Sequence, residues 1–104
     1  MAKYLLAYIG GGVPETEEAQ QAAMAAWGAW LGGLGDALVD PGNPFGPSRS
    51  IAAGGAVSDR GGAGLSGYSV LSADSLDAAT EAAKGCPVLQ SGGTVEVYET
   101  FDVM

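Results

Sequence analysis

The chain has 104 residues, enough for one hydrophobic core and too few for two, so we expect a single domain over residues 1–104. Hydrophobic residues make up 47% of the chain, which excludes intrinsic disorder despite its 18 glycines. Four scattered basic residues oppose twelve acidic ones, for a net charge of −8, and this excludes nucleic acid and anionic membranes as expected partners.

The first third of the chain predicts a strand followed by a long helix. Residues 3–9 are almost entirely apolar and predict a buried central strand, which the glycines at 10–12 end. Thr16 is the expected N-cap of a helix that runs to about residue 34, where Gly35 stops it. The apolar side of this helix includes Met24 and covers roughly half of the circumference, wider than the ~100° that one sheet face needs. We therefore expect a second subunit or an enclosed cavity against it.

The middle of the chain predicts little regular structure. Residues 36–40 read as a short strand, and residues 40–50 hold three prolines and two glycines, a composition that excludes helix and strand. Residues 50–58 are glycine-rich and weakly strand-like. Residues 59–64, which include Arg60, Gly61 and Gly62, predict a hairpin connection to the next strand.

The last third predicts a strand, a capped helix and a closing strand. Alternation along residues 65–72 places Tyr68 on the opposite face from Ser69. Asp74 is the expected N-cap of a helix over residues 74–84, with Asp77 at the reciprocal position. The closing strand covers residues 94–98.

These elements follow the order βαββαβ, which predicts an α+β, ferredoxin-like fold. In that fold a four-stranded antiparallel sheet, of strand order 4-1-3-2, carries two helices on one face. The other face of the sheet must also be covered, and in a chain this small a symmetric homodimer is the simplest way to cover it.

Several segments together resemble the YCII-related (DGPF-domain) family: the opening KYLLAY, a helix with tryptophans, GYSVLSADSLDAA, the CP turn and the closing GGTVEVYE. The resemblance implies a dimeric α+β barrel whose two sheets face each other, and for some members a role in lactone or chloroaromatic breakdown. It also implies an active site with an aspartate and a histidine near the end of the first strand. This chain contains no histidine, and DRGGAGLSG at residues 59–67 stands where the DGPF tetrapeptide would be.

The loop over residues 40–50 concentrates polar side chains of different chemistry. Asp40, Asn43, Ser48 and Arg49 supply an acid, an amide, a hydroxyl and a cation, and Phe45 could exclude water. Long irregular loops in small domains are often functional, so contact with a ligand is one reading. The other reading is a rigid cover over the sheet edge with solvated polar groups.

Aromatic residues of the predicted central strands and of the first helix form a second candidate site. A cavity among Tyr8, Trp27, Trp30 and Tyr68 would suit a flat aromatic or lactone-like ligand with few polar anchors. We expect this ligand to be an acid, because Arg49 in the neighbouring loop could hold a carboxylate through two parallel hydrogen bonds. The alternative is that these side chains simply fill the core.

Two classes of function follow from these candidates. The first is a small-molecule enzyme of the isomerase or lyase type, with Asp40 as its base and Tyr8 or Arg49 as electrostatic partner. The second is a non-catalytic dimer that binds a small ligand or a partner domain. A carboxylate of Asp40 enclosed beside the aromatic cavity would favour the enzyme, whereas an exposed carboxylate would favour the binding protein.

Cofactors, metals and targeting are not indicated. The acidic residues have no metal-ligand spacing, and there is no histidine to join them, so we expect neither a metal nor a cofactor. The lone Cys86 excludes an intrachain disulfide, the opening segment is too short for a signal peptide, and no apolar run approaches the ~20 residues of a membrane span. We expect a cytoplasmic protein.

Overall fold

The computed structural model describes residues 2–11, 14–59, 61 and 64–103. The elements, in chain order, are β1 (Ala2–Ile9), α1 (Glu17–Leu34), β2 (Leu38–Asp40), β3 (Ser50–Ile51), β4 (Val57–Ser58), β5 (Leu65–Ala73), α2 (Leu76–Ala83) and β6 (Thr94–Glu99). Short 3₁₀ helices over Gly35–Ala37 and Pro87–Ser91 follow the two α-helices.

Four of these strands form one antiparallel sheet in the order β2-β5-β1-β6. Numbered among themselves along the chain, they give the predicted order 4-1-3-2, so the ferredoxin-like arrangement is confirmed. β1 is central as expected, with Tyr4 opposite Leu71 on β5 and Leu6 opposite Val97 on β6. The core therefore forms on the face to which these even-numbered β1 side chains point.

Both helices pack on that face of the sheet. Leu6, Tyr8 and Leu71 from the strands share a buried cluster with Ala83 of α2, and the half-buried Trp27 of α1 packs against it. The molecule is only 18 Å thick, which leaves room for one helix layer and one sheet layer. The opposite face of the sheet is packed by neither helix.

Helix α1 begins and ends as its sequence predicts. The Thr16 side chain accepts a hydrogen bond from the Ala19 N–H at 3.0 Å, and Gly35 ends the helix with a φ of 56°. No residue of α1 is fully buried, and Met24 is 75% exposed, so the chain by itself leaves part of the wide apolar side uncovered. Within the described ranges, no helix combines the length and apolarity needed to cross a bilayer.

The N-cap predicted for α2 is wrong by one residue. Ser75, not Asp74, adopts the extended cap conformation, and its hydroxyl accepts from the Ala78 N–H at 3.0 Å. Asp77 consequently lies in the first turn, where a carboxylate favours the helix dipole, and does not close a capping box.

The glycine-rich segment over residues 50–58, predicted to be weakly strand-like, folds back on itself as a separate two-stranded ribbon. β3 pairs with β4 through Ile51 and Val57, and the Gly55 N–H donates to the Ala52 carbonyl at 2.8 Å to close the turn. Of the predicted connection over residues 59–64, Arg60 and Gly62 lie outside the described residues. Among the described residues, β2 is the second strand of the main sheet, and residues 50–58 add none to it.

Candidate functional site

A pocket of 380 Å³ lies where the end of β1, the start of β5, helix α1 and the loop after β2 meet. Helix α1 contributes Trp27 and Leu31, the loop contributes residues 41–44, and Val88 lies on the 3₁₀ helix before β6. The sheet contributes Tyr8, Ser66, Gly67 and Tyr68. Concave sites of this kind, largely apolar with few polar groups, are the usual form of small-molecule sites.

A chain of aromatic contacts supports the helix wall of the pocket. The rings of Tyr8 and Trp27 meet edge to face, with centroids 5.2 Å apart and planes at 71°. Trp30 meets Trp27 in the same way at 5.8 Å, and its Nε1 donates to the Ala82 carbonyl at 3.1 Å. Trp30 thus joins α1 to α2 and supports Trp27 from outside the pocket lining.

A buried hydrogen-bond chain joins the sheet to the loop wall. The Tyr8 hydroxyl donates to Ser69 Oγ at 2.7 Å, and Ser69 Oγ donates to the Pro41 carbonyl at 2.7 Å. Ser69 is 0% exposed, so each of these groups depends on the others for its hydrogen bond. The chain holds the start of the loop against the central strands.

Burial also decides the protonation of two groups near this chain. It raises the pKa of the Tyr8 hydroxyl and the pKa of the Cys86 thiol above their ordinary values, because each charged form would lose its hydration. Both groups are therefore protonated at neutral pH and supply neither a base nor a thiolate nucleophile.

Three further hydrogen bonds hold the loop of residues 41–44 in place. Asp40 Oδ1 accepts from the Gly42 N–H at 2.8 Å, closing a turn in which Gly42 has a φ of 73°. The Asn43 carbonyl accepts from the Tyr68 N–H at 3.4 Å, and the Phe45 N–H donates to the Ser66 carbonyl at 2.9 Å. The loop wall of the pocket is thus anchored along its length to β5.

Four of the nine residues predicted for the site line the pocket, and Tyr68 does so although its side chain points to the opposite face of the sheet from Ser69. The residues at the pocket are Tyr8, Trp27, Asn43 and Tyr68. The residues outside its lining are Trp30, Asp40, Phe45, Ser48 and Arg49.

The predicted residues that lie outside the lining have other surroundings. Phe45 stacks on Tyr68, with centroids 5.7 Å apart, and Ser48 Oγ accepts from the Gly61 N–H at 2.9 Å. Arg49 and Asp40 are exposed, and the Asp40 carboxylate serves the turn at Gly42.

Sequence reasoning missed most of the loop wall and the residue that holds it. Pro41 and Gly42 carry a detectable signal, since Asp-Pro-Gly is typical of a tight turn that begins with an Asx hydrogen bond. Ser69 also carries one, because a hydroxyl on the core face of a strand must find a partner. Neither signal predicts that the partners of the Ser69 hydroxyl are Tyr8 and Pro41.

The YCII-related domain model matches residues 4–103. The chain belongs to the YCII-related domain family. No curated protein matches it. In this YCII-related chain the end of β1, where the family resemblance implies a histidine, contributes Tyr8 to the pocket. Among the described residues, no three His, Cys, Asp or Glu side chains lie close enough together to hold a metal ion.

Proposed function

We propose that this YCII-related protein binds a small aromatic or lactone-like molecule in the pocket between α1 and the loop of residues 41–44, without catalysing a reaction on it. The observation that carries the proposal is the aromatic wall of Tyr8 and Trp27 around 380 Å³ of space. That volume lies at the lower end of the roughly 300–1,000 Å³ range of small-molecule sites, so a ligand of one or two rings fits best.

The position of Asp40 favours binding over the isomerase or lyase alternative. A carboxylate that abstracts a proton must reach the substrate, and its pKa is raised by enclosure in an apolar site. Asp40 is exposed, and one of its oxygens accepts from the Gly42 N–H. Catalysis by Asp40 would therefore need the carboxylate to leave this turn and enter the pocket.

Two substitutions on the same helix test the pocket, with coumarin as an uncharged aromatic lactone probe. Leu31→Arg places a long charged side chain at the pocket wall, whereas Met24→Arg places the same side chain on an exposed part of α1. We expect Leu31→Arg to weaken coumarin binding at least tenfold, equivalent to about 1.4 kcal/mol, and Met24→Arg to leave it unchanged. Isothermal titration calorimetry measures both affinities.

The indole N–H signals in ¹⁵N–¹H spectra provide an independent check. Trp27 lines the pocket and Trp30 does not, and the variants Trp27→Phe and Trp30→Phe assign the two signals. Coumarin should shift the Trp27 signal more than the Trp30 signal. Coumarin that fails to bind, or that binds equally well to Leu31→Arg and Met24→Arg, would remove the proposed function.

We also propose that the protein acts as a homodimer in which the open face of the sheet is buried. Leu5 lies opposite Val70 on one neighbouring strand and opposite Tyr98 on the other, and all three are at least partly exposed on this face. Apolar side chains contiguous across three strands support an interface, which should bury more than about 1,000 Å² in total. The single Cys86, which is buried, suits a cytoplasmic setting for this assembly.

A charge placed on the sheet face should separate the proposed dimer. We expect Val70→Lys to be monomeric at micromolar concentration by light scattering, because a buried, unpaired ammonium opposes association. Met24→Lys, on the exposed side of α1, should remain dimeric. A monomeric wild-type protein would contradict the proposed dimer. If Met24→Lys dissociates the dimer and Val70→Lys does not, the interface is formed by α1 and not by the open face of the sheet.

A further inference from the structure

We infer that the pocket selects an uncharged ligand and discriminates against carboxylates; the inference rests on the proposed function. The expectation of an acidic ligand rested on Arg49, whose guanidinium could hold a carboxylate through two hydrogen bonds. Arg49 is exposed and lies outside the pocket lining. The structure therefore separates the aromatic site from the cation that was expected to serve it.

The charges around the pocket oppose an anion. None of the described residues that line it carries a charge. The nearest charged neighbour along the loop wall is Asp40, a carboxylate directly before Pro41. The whole chain has a net charge of −8, so its surface potential repels an approaching anion.

The Tyr8 and Ser66 hydroxyls at the pocket are already committed to the protein, and the side chain of Tyr68, the third hydroxyl-bearing residue of the lining, points to the opposite face of the sheet. Tyr8 donates to Ser69, and the Ser66 hydroxyl donates to the Tyr8 carbonyl at 3.2 Å. A carboxylate that entered would lose its hydration without gaining these donors, and an unpaired charge in an apolar site is strongly disfavoured. A ligand of low polarity loses much less on entry.

The polar part of the ligand should lie at the outer end of the pocket. Asn43 lines the pocket and is exposed, and among the described residues its side-chain amide makes no hydrogen bond within the chain. An amide can both donate and accept, so it suits a hydroxyl or a carbonyl equally well. The ligand class that fits is a planar, uncharged molecule with one hydroxyl, carbonyl or lactone group.

Three naphthalenes that carry a polar group of different charge at the same ring position test this inference at neutral pH. The probes are 2-naphthol, which is uncharged, 2-naphthoate, which is an anion, and 2-naphthylmethylammonium, which is a cation. We expect 2-naphthol to bind the wild-type protein at least tenfold more tightly than either charged probe. Isothermal titration calorimetry measures the three affinities. Leu31→Arg should abolish this binding, and Met24→Arg should preserve it.

The outcomes separate the inference from the proposed function. If 2-naphthoate or the ammonium probe binds as tightly as 2-naphthol, and Leu31→Arg still weakens binding, the pocket is a ligand site and the inferred charge selection is wrong. If no probe binds, or if Leu31→Arg leaves the affinity unchanged, the proposed function fails and the inference fails with it. A further variant, Asn43→Ala, should weaken 2-naphthol binding and leave thermal stability unchanged, whereas an unchanged affinity would contradict the placing of the polar group.

Discussion

Replacing Gly42 with alanine should lower the free energy of unfolding by about 2–5 kcal/mol. A Cβ at this position would lie 1.7 Å from the Tyr68 carbonyl oxygen and 2.6 Å from its carbon, and the residue has a φ of 73°. The obstructing atoms belong to the backbone of β5, an interior strand, so no side-chain rotation relieves the overlap. The loop of residues 41–44 must therefore move away from the sheet.

Gly46 is the matched control, because it lies in the same connection between β2 and β3 and has nothing within 4 Å of the corresponding Cβ position. Gly46→Ala should change the free energy of unfolding, measured by urea denaturation, by no more than about 0.5 kcal/mol. Gly42→Ala should also lose coumarin binding, since the displaced loop is one wall of the pocket. Equal stabilities of the two variants would show that the loop does not need the close approach at Gly42.

Replacing Ser69 with alanine should lower the free energy of unfolding by about 2–4 kcal/mol. Ser69 is 0% exposed, and its hydroxyl serves both the Tyr8 hydroxyl and the Pro41 carbonyl. Removing it leaves a donor and an acceptor without their partner, and each such buried group costs about 1–3 kcal/mol. The loop wall also loses its link to the central strands, so binding of coumarin should weaken.

Two further variants provide a comparison for the loss of stability expected in Ser69→Ala. Ser72 lies on the same strand as Ser69 with its side chain on the opposite face, and its hydroxyl makes only a weak hydrogen bond of 3.5 Å to the Ala37 carbonyl. Ser72→Ala should therefore lower the free energy of unfolding by less than about 0.5 kcal/mol. Tyr8→Phe should fall between the two, because Ser69 keeps its bond to Pro41. If Ser69→Ala is no more destabilising than Ser72→Ala in urea, the hydrogen-bond chain does not hold the loop.

Local patterns were enough to predict most of the architecture. The apolar run of β1, the cap at Thr16 and the stop at Gly35 depend on residues within a few positions of one another, and each is confirmed. Alternation along β5 likewise predicted that Ser69 and Tyr68 lie on opposite faces. Because the order βαββαβ has few solutions with short connections, the strand order followed from these local elements.

Choices between equivalent local signals were made by the fold. Asp74 and Ser75 are both good caps, and β5 runs to Ala73, so Ser75 is the residue at which the chain turns into α2. Residues 50–58 could pair with the main sheet or with themselves, since a glycine-rich, weakly patterned strand does not specify its register. The structure shows the second arrangement.

The pocket is the part of the protein that only the tertiary structure decided. The sequence placed a rich set of polar side chains between residues 40 and 50, but the pocket wall is made by residues 41–44, while Asp40 and Arg49 remain outside the lining. The contacts that shape it span long separations, with Tyr8 and Ser69 61 positions apart and Ser69 and Pro41 28 positions apart. Sequence periodicity reports which face of an element is buried, whereas pairing between distant elements sets which side chains meet there.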